Sequence, residues 1–322
     1  MIRNFGSQVA KKELGVHWAD RFIARYPDKL ISKWTTSIDR NRHQADSGFK
    51  YNLYFELLRA KINKYNIEPR NIYNMDEKGF MLGVVARNKR VFSKAYYEAQ
   101  KRRSVVQDGS REWISLLACI CADGSALPPS LIYESASKSI QDTWLQDYDP
   151  DQHQARFTSS QSGWTNNEIG LAWLKQVFDR DTKEKAGRAY RLLILDGHGS
   201  HVTMDFIDYC DRHRILLAVY PPHSTHTLQP LDVVMFKPLS TAYSIEIASF
   251  TARCHGLTSI SKRDFFRMFI SAWAATFTEK LVVKAFEATG LSPFDPSRIL
   301  NRFTTKSSQS SDSDSSELSA SN

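Results

Sequence analysis

The chain has 322 residues, 42% hydrophobic and 12% aromatic, enough to fill a sizeable core in one large domain or two small ones. No segment nears the roughly 18 uninterrupted apolar residues of a membrane helix, and the N-terminus lacks an apolar signal core, so the sequence reads against membrane insertion and secretion. The net charge of +8 is uneven: residues 1–111 carry 23 Lys and Arg against 11 Asp and Glu, the remainder 20 against 24. That asymmetry suits a polyanion-binding face early in the chain and a carboxylate-bearing site later, with a solvated basic surface as the plainer alternative.

Residues 10–26 place Leu14, Trp18, Phe22 and Ile23 at helical spacing, and Pro27 stops the pattern. After a basic connector, a second helix is predicted over 50–66, closed by Pro69. A short strand, Ile72 to Met75, then delivers Asp76 and Glu77 at its end. Residues 87–113 are polar and basic without a period, as in a long loop or hairpin. Two strands joined at Asp123-Gly124 follow over 113–134, and 141–165 read as irregular. A helix over 166–185, with Ile169, Trp173 and Val177 on one stripe, leads into the apolar run Leu192–Leu195. Residues 203–214 form a helix capped by Thr203, and 215–220 a strand. A proline-braced loop from 221 continues as a helix, 261–289 are helical, and the Ser-rich tail is too poor in apolar residues to order itself. The four cysteines, Cys119, Cys121, Cys210 and Cys254, make no C-x-x-C pair and read as buried thiols in a reducing compartment.

Asp196 directly follows the buried run Leu192–Leu195, at the strand edge where open α/β sheets bind ligands. Alone, it reads as a cap for the next helix. Asp76 is a second strand-end acid, and Asp232, separated from Asp196 by thirty-five residues, stands where the proline-braced loop meets a helix. Three acids at one sheet edge repel one another and are costly to desolvate unless a cation joins them. Hard oxygen ligands suit Mg²⁺ or Mn²⁺, and two ions about 3.5–4 Å apart can activate water and steady the leaving oxygen of a phosphodiester.

The stretches "NIYNMDEKGF", "LLILDGHGSH" and "YPPHSTHTLQPLDVVMFKPL" closely resemble the three catalytic blocks of DDE-type endonucleases in the pogo branch of the mariner transposase superfamily. The likeness runs from about residue 66 to 300 and includes "REWISLLACICADGSALPPSLIY" and "AFEATGLSPFDPSRIL". It implies an α/β, RNase H-like fold, a central mixed β-sheet flanked by helices, with Asp76, Asp196 and Asp232 as the metal-binding catalytic triad for two Mg²⁺ or Mn²⁺ ions. "GVHWADRFIARYPDKLISKWTTSIDRNR" is similar to the end of the second helix-turn-helix unit of centromere protein B and pogo-like transposases. The expected organisation is a small helical segment, 1–62, holding that remnant and a linker, a catalytic domain over 63–300, and a disordered tail over 301–322.

Around the triad, Glu77 points to the opposite face of its strand and is expected to support the site without ligating. His198, His201 and His226 are expected to brace loops and ligands, since no Cys or Glu completes a zinc set. A serine nucleophile at Ser200 is disfavoured because the G-x-S-x-G elbow is missing. Gly197 and Gly199 are expected to keep Cβ atoms out of a crowded site. Arg87, Lys89, Arg90, Lys101, Arg102 and Arg103 are candidates for DNA phosphate contacts, with solvated surface as the alternative. The resemblance implies a nuclear transposase domain of a mobile element, acting on double-stranded DNA at transposon ends and target, without membrane contact and with a homodimer as the assembly to test. Two alternatives are a domesticated, non-catalytic DNA-binding or chromatin protein and a general nuclease of RNA–DNA hybrids.

Overall fold

In a computed structural model of the protein, the apolar runs of the sequence become strands of one mixed sheet. These are β1 (Ile72–Met81), β2 (Trp113–Cys121), β3 (Ser130–Glu134), β4 (Arg156–Ser160), β5 (Arg191–Leu195) and β6 (Ile215–Val219), in the spatial order β4-β3-β2-β1-β5-β6. The structure describes residues 10, 12, 15, 17–25, 48–82, 112–197, 203–254 and 260–303. The chain divides into two units, Met1–His43 and Gln44–Asn322. In the first, the amphipathic pattern forms α1 (Trp18–Arg25), whose Trp18 and Phe22 rings stack 4.9 Å apart.

The second unit holds the sheet. β2 pairs antiparallel with both β1 and β3, whereas β1–β5, β5–β6 and β3–β4 are parallel. Side chains alternate between faces along each strand, so the sheet carries two cores. Ile72, Phe80, Ile114, Leu116, Leu192 and Ile194 face one way, against α2 (Gly48–Tyr65), α7 (Phe236–Arg253), α8 (Lys262–Thr276) and α9 (Glu279–Ala288). Tyr73, Met75, Leu117, Cys119, Leu193 and Leu195 face the other, against α3 (Asn167–Trp173), the stretch Leu174–Asp179 that follows it, and α5 (Met204–Arg212). α4 (Arg180–Ala186) continues the second layer. Both layers together give the expected mixed sheet flanked by helices.

Four details differ from the sequence reading. β1 runs to Met81 rather than ending at Met75, because its antiparallel ladder with β2 continues to the Met81–Trp113 pair after its parallel ladder with β5 has stopped at Asn74–Ile194. The segment expected to be irregular contains β4, a short parallel edge strand whose half-buried RFTSS sequence has no apolar alternation. The helical region over 261–289 breaks at Thr278, whose side chain accepts from Leu281 N–H and starts α9 anew. The domain boundary expected after residue 62 falls inside α2, whose Tyr51, Tyr54, Phe55 and Leu58 belong to the core of the larger unit.

Candidate active site

β1 and β5 are parallel neighbours with Ile72 opposite Leu192 and Asn74 opposite Ile194. Two residues past that last pair stand Asp76, still within β1, and Asp196, just beyond the end of β5, in step with the face shared by Ile72, Leu192 and Ile194. β1 holds Asp76 firmly there, because its pairing with Ala118 of β2 persists after β5 has ended. The strand edge thus opens at the point where two carboxylates emerge.

The third acid arrives from the helical layer on the same face. α6 (Thr225–Leu228) is followed by Gln229 and Pro230, then by a wide turn, Leu231–Met235, in which Phe236 N–H bonds to Leu231 O five residues back. Leu228, Leu231 and Met235 are fully buried in the core and seat this turn against the sheet. Asp232 is thereby turned outward beside the strand edge, its side chain partly open to solvent. Such wide turns often mark functional positions in helices.

The three carboxyls act on one another. Burial pushes the Asp76 carboxyl well above the ordinary range, and the charges of Asp232 and Asp196 push it further. The Glu77 N–H, which donates to Asp76 Oδ1 at 2.8 Å, opposes this rise. Asp232 is also raised, first by partial desolvation and then by Asp196. A hydrogen bond from Thr225 and the nearby Lys78 and His226 counter that rise. His226, exposed on α6, therefore lies beside an acid of the set. Glu77 lies across the strand from Asp76, and its Oε1 accepts from Thr165 N–H at 3.0 Å, tying β1 to the entry of α3.

Two residues near the acids escaped the sequence reading. Lys78 is two positions after Asp76 and so shares its face, with Nζ 5.8 Å from the centre of the Phe236 ring. Its spacing was the available signal. Gln229 is fully buried and stands beside Asp76, favouring its charged form, yet neither amide atom closes a hydrogen bond within ordinary distance. The expected roles of His198, His201, Ser200 and Gly199, and of Arg87, Lys89, Arg90, Lys101, Arg102 and Arg103, fall outside the described residues. At Gly197 the nearest obstacle to a Cβ is Val219 Cγ1 at 3.3 Å, so packing against β6 is what limits the space there.

Among the described residues, no three His, Cys, Asp or Glu side chains stand close enough together to hold a metal ion as they are placed. The donors nevertheless fit a hydrated divalent ion. They are hard oxygens whose mutual repulsion a cation would offset, and the buried, unbonded Gln229 amide could hydrogen-bond to ion-bound water.

Residues 110–286 match the DDE superfamily endonuclease family. The chain is 35% identical over 239 residues, 74% of its length, to a quarter (25%) of the Cochliobolus lunatus protein named MFS-type transporter clz9. No helix among the described residues is long and apolar enough to cross a membrane. It is 26% identical over 240 residues to a mouse (Mus musculus) Pogo transposable element with KRAB domain, covering 71% of this chain and 35% of that one. A human (Homo sapiens) Pogo transposable element with ZNF domain is 22% identical over 225 residues, 69% of this chain and 14% of that protein. The chain therefore spans about a third or less of these relatives' lengths.

The fold resembles that in the pre-cleavage Mos1 transpososome, with a TM-score of 0.56 at 11% identity, covering 93% of this chain and 72% of that one. It also resembles the Mos1 mariner paired end complex with Mn, at 0.55 and 13% identity over 93% and 73% of the two chains. The sheet is accordingly RNase H-like, as in the Mos1 structures, and the chain belongs to the DDE superfamily endonucleases, with Pogo transposable element proteins among its relatives.

Proposed function

We propose that this chain is the catalytic part of a transposase that cuts DNA phosphodiesters at the ends of a mobile element and joins the freed strand to target DNA. The observation that carries this reading is the convergence of Asp76, Asp196 and Asp232 on one face of one sheet edge, close enough to shift one another's protonation. Two Mg²⁺ or Mn²⁺ ions held by these residues would activate the attacking water or 3′-hydroxyl and steady the leaving oxygen.

The remaining work falls to the chain itself. The antiparallel ladder of β1 with β2 keeps Asp76 rigid, which holds ligand geometry better than a loop does. The Thr225 hydroxyl and Lys78 favour the anionic form of Asp232 against the rise that burial and Asp196 impose. Gln229 presents its amide toward Asp76, and Glu77 fixes the strand from behind. The basic residues of 87–103 would hold DNA phosphates, and residues 15–42 would keep the end of a helix-turn-helix. A nuclear location and a homodimer bridging two DNA ends complete the proposal.

Incubating the chain with supercoiled plasmid tests it. Nicking that requires Mg²⁺ or Mn²⁺ and is lost in Asp196→Asn is expected. Equal nicking by a folded Asp196→Asn protein would overturn the mechanism, and DNA binding without any metal-dependent cleavage would favour the domesticated binding protein.

A further inference from the structure

Asn74 is the polar residue of an otherwise apolar buried run, Ile72–Met75, and it is completely shielded from solvent. A buried amide is costly unless its donors and its acceptor are both met, and here both are. Nδ2 donates to Ile194 O at 3.2 Å and makes a longer contact with Met75 O at 3.4 Å. Oδ1 accepts from Leu231 N–H at 3.1 Å.

Each partner sits just before an acid. Asn74 itself is two residues before Asp76, Ile194 is two before Asp196, and Leu231 is one before Asp232. The Asn74–Ile194 pair is also the last rung of the β1–β5 ladder, so the side chain closes the point at which those strands part. Leu231 opens the wide turn after Pro230, where a first-turn N–H has no partner within its own helix. One amide thus binds three backbone segments that approach from two strands and a helical turn. Leucine has nearly the same size and would fill the space, but it could make neither bond.

We propose that Asn74 is a positioning residue that locks the backbones carrying Asp76, Asp196 and Asp232 to one another, setting the spacing of the three carboxylates before any cation arrives. This rests on reading those aspartates as the metal-binding set. Without the lock, the turn bearing Asp232 can drift from the sheet edge, and assembling the ligands becomes part of the cost of binding an ion.

The test compares the full metal-free chain with Asn74→Leu by hydrogen exchange and by calorimetric titration with Mn²⁺, with Asp196→Asn alongside. Asn74→Leu should melt cooperatively, lose exchange protection at the Leu231 amide, and bind Mn²⁺ on the order of 10–100-fold more weakly, as when a residue supporting metal ligands is removed. Should it fail to fold, Asn74→Thr carries the same test. Its β-branched side chain suits a strand, and its single hydroxyl is too short to span both partners. Wild-type Mn²⁺ affinity or undiminished Leu231 protection in the folded variant overturns the role of Asn74. A wild-type chain that takes up no Mn²⁺, or Asp196→Asn that binds it normally, overturns instead the metal reading beneath it.

Discussion

Asp76, within β1, and Asp196, one residue beyond the end of β5, each stand two residues past the last rung that these parallel strands share. Carboxylates so placed cannot avoid one another, and with Asp232 added the metal-free protein carries a standing electrostatic cost. Asp76 is held above the ordinary carboxylate range in the folded chain, first by burial. A carboxyl with a raised folded value destabilises the fold at neutral pH, and the cost fades as pH falls through that value.

Asp76→Asn should therefore raise the stability of the metal-free chain at neutral pH by about 0.5–2 kcal/mol, the usual trade between stability and function. Thermal melts in chelator and in Mn²⁺ check this. The variant should melt higher in chelator, whereas only the wild type should gain from the ion, because a ligand stabilises the state that binds it. A variant that melts lower in chelator would mean that Asp76 is not strained.

Gly79 lies on β1 opposite Ser115, and a Cβ there would sit 1.9 Å from Trp113 Cζ2. The indole, whose Nε1 donates to Ser115 Oγ at 3.1 Å and whose rings lie 4.9 Å from those of Trp164, would have to leave its place. Gly79→Ala is expected to cost about 1–3 kcal/mol, as overpacking does. Urea unfolding together with tryptophan fluorescence should report both the loss and the displaced ring.

At the far end of β5, Arg191 Nη2 lies 2.8 Å from Asp179 Oδ1, with both side chains buried. Arg191 also donates to Thr182 Oγ1 at 2.9 Å and His213 O at 2.6 Å, and Tyr209 donates to Asp179 Oδ2 at 2.9 Å. Arg191→Met would leave Asp179 buried without a counter-charge, at about 3–5 kcal/mol. The double change Arg191→Met with Asp179→Leu should recover much of that loss in chemical denaturation. Little recovery would place the loss in the hydrogen bonds Arg191 makes elsewhere.

Asp123, in the turn between β2 and β3, is lowered to about 2 although burial opposes it, because Lys185 and Ser125 hydrogen-bond to its charged form. A depressed carboxylate stabilises the fold above its unfolded value near 4, and the benefit drains away as pH falls from about 4 to about 2. Part of the group faces water, so Asp123→Asn should cost no more than about 1 kcal/mol at neutral pH. Stability curves of the two proteins should converge at the acid end of that window. Curves that stay parallel would assign the difference to shape rather than charge.

Much of the site was legible because its residues sit where local patterns end. The run Leu192–Leu195 must be buried on both faces, so Asp196 marks the strand edge without knowledge of the partner strands. Asp232 follows a proline that fixes the entry to its helix. What stayed hidden depends on pairing between distant segments. The true length of β1 is set by β2, which begins more than thirty residues later, and the need for glycine at 79 is set by Trp113 across that ladder. β4 is held by its parallel partner rather than by its own composition. Asn74 and Gln229 look unremarkable in sequence, since their importance comes from what reaches them through space.

Whether Asp76, Asp196 and Asp232 form one metal-dependent site is decided most directly by calorimetric titration of the metal-free chain with Mn²⁺. The wild type should bind two ions. Asp76→Asn, Asp196→Asn and Asp232→Asn should each weaken or abolish uptake while remaining folded, because an amide does not replace an anionic ligand. Three folded variants that bind Mn²⁺ with unchanged stoichiometry and affinity would contradict the assignment.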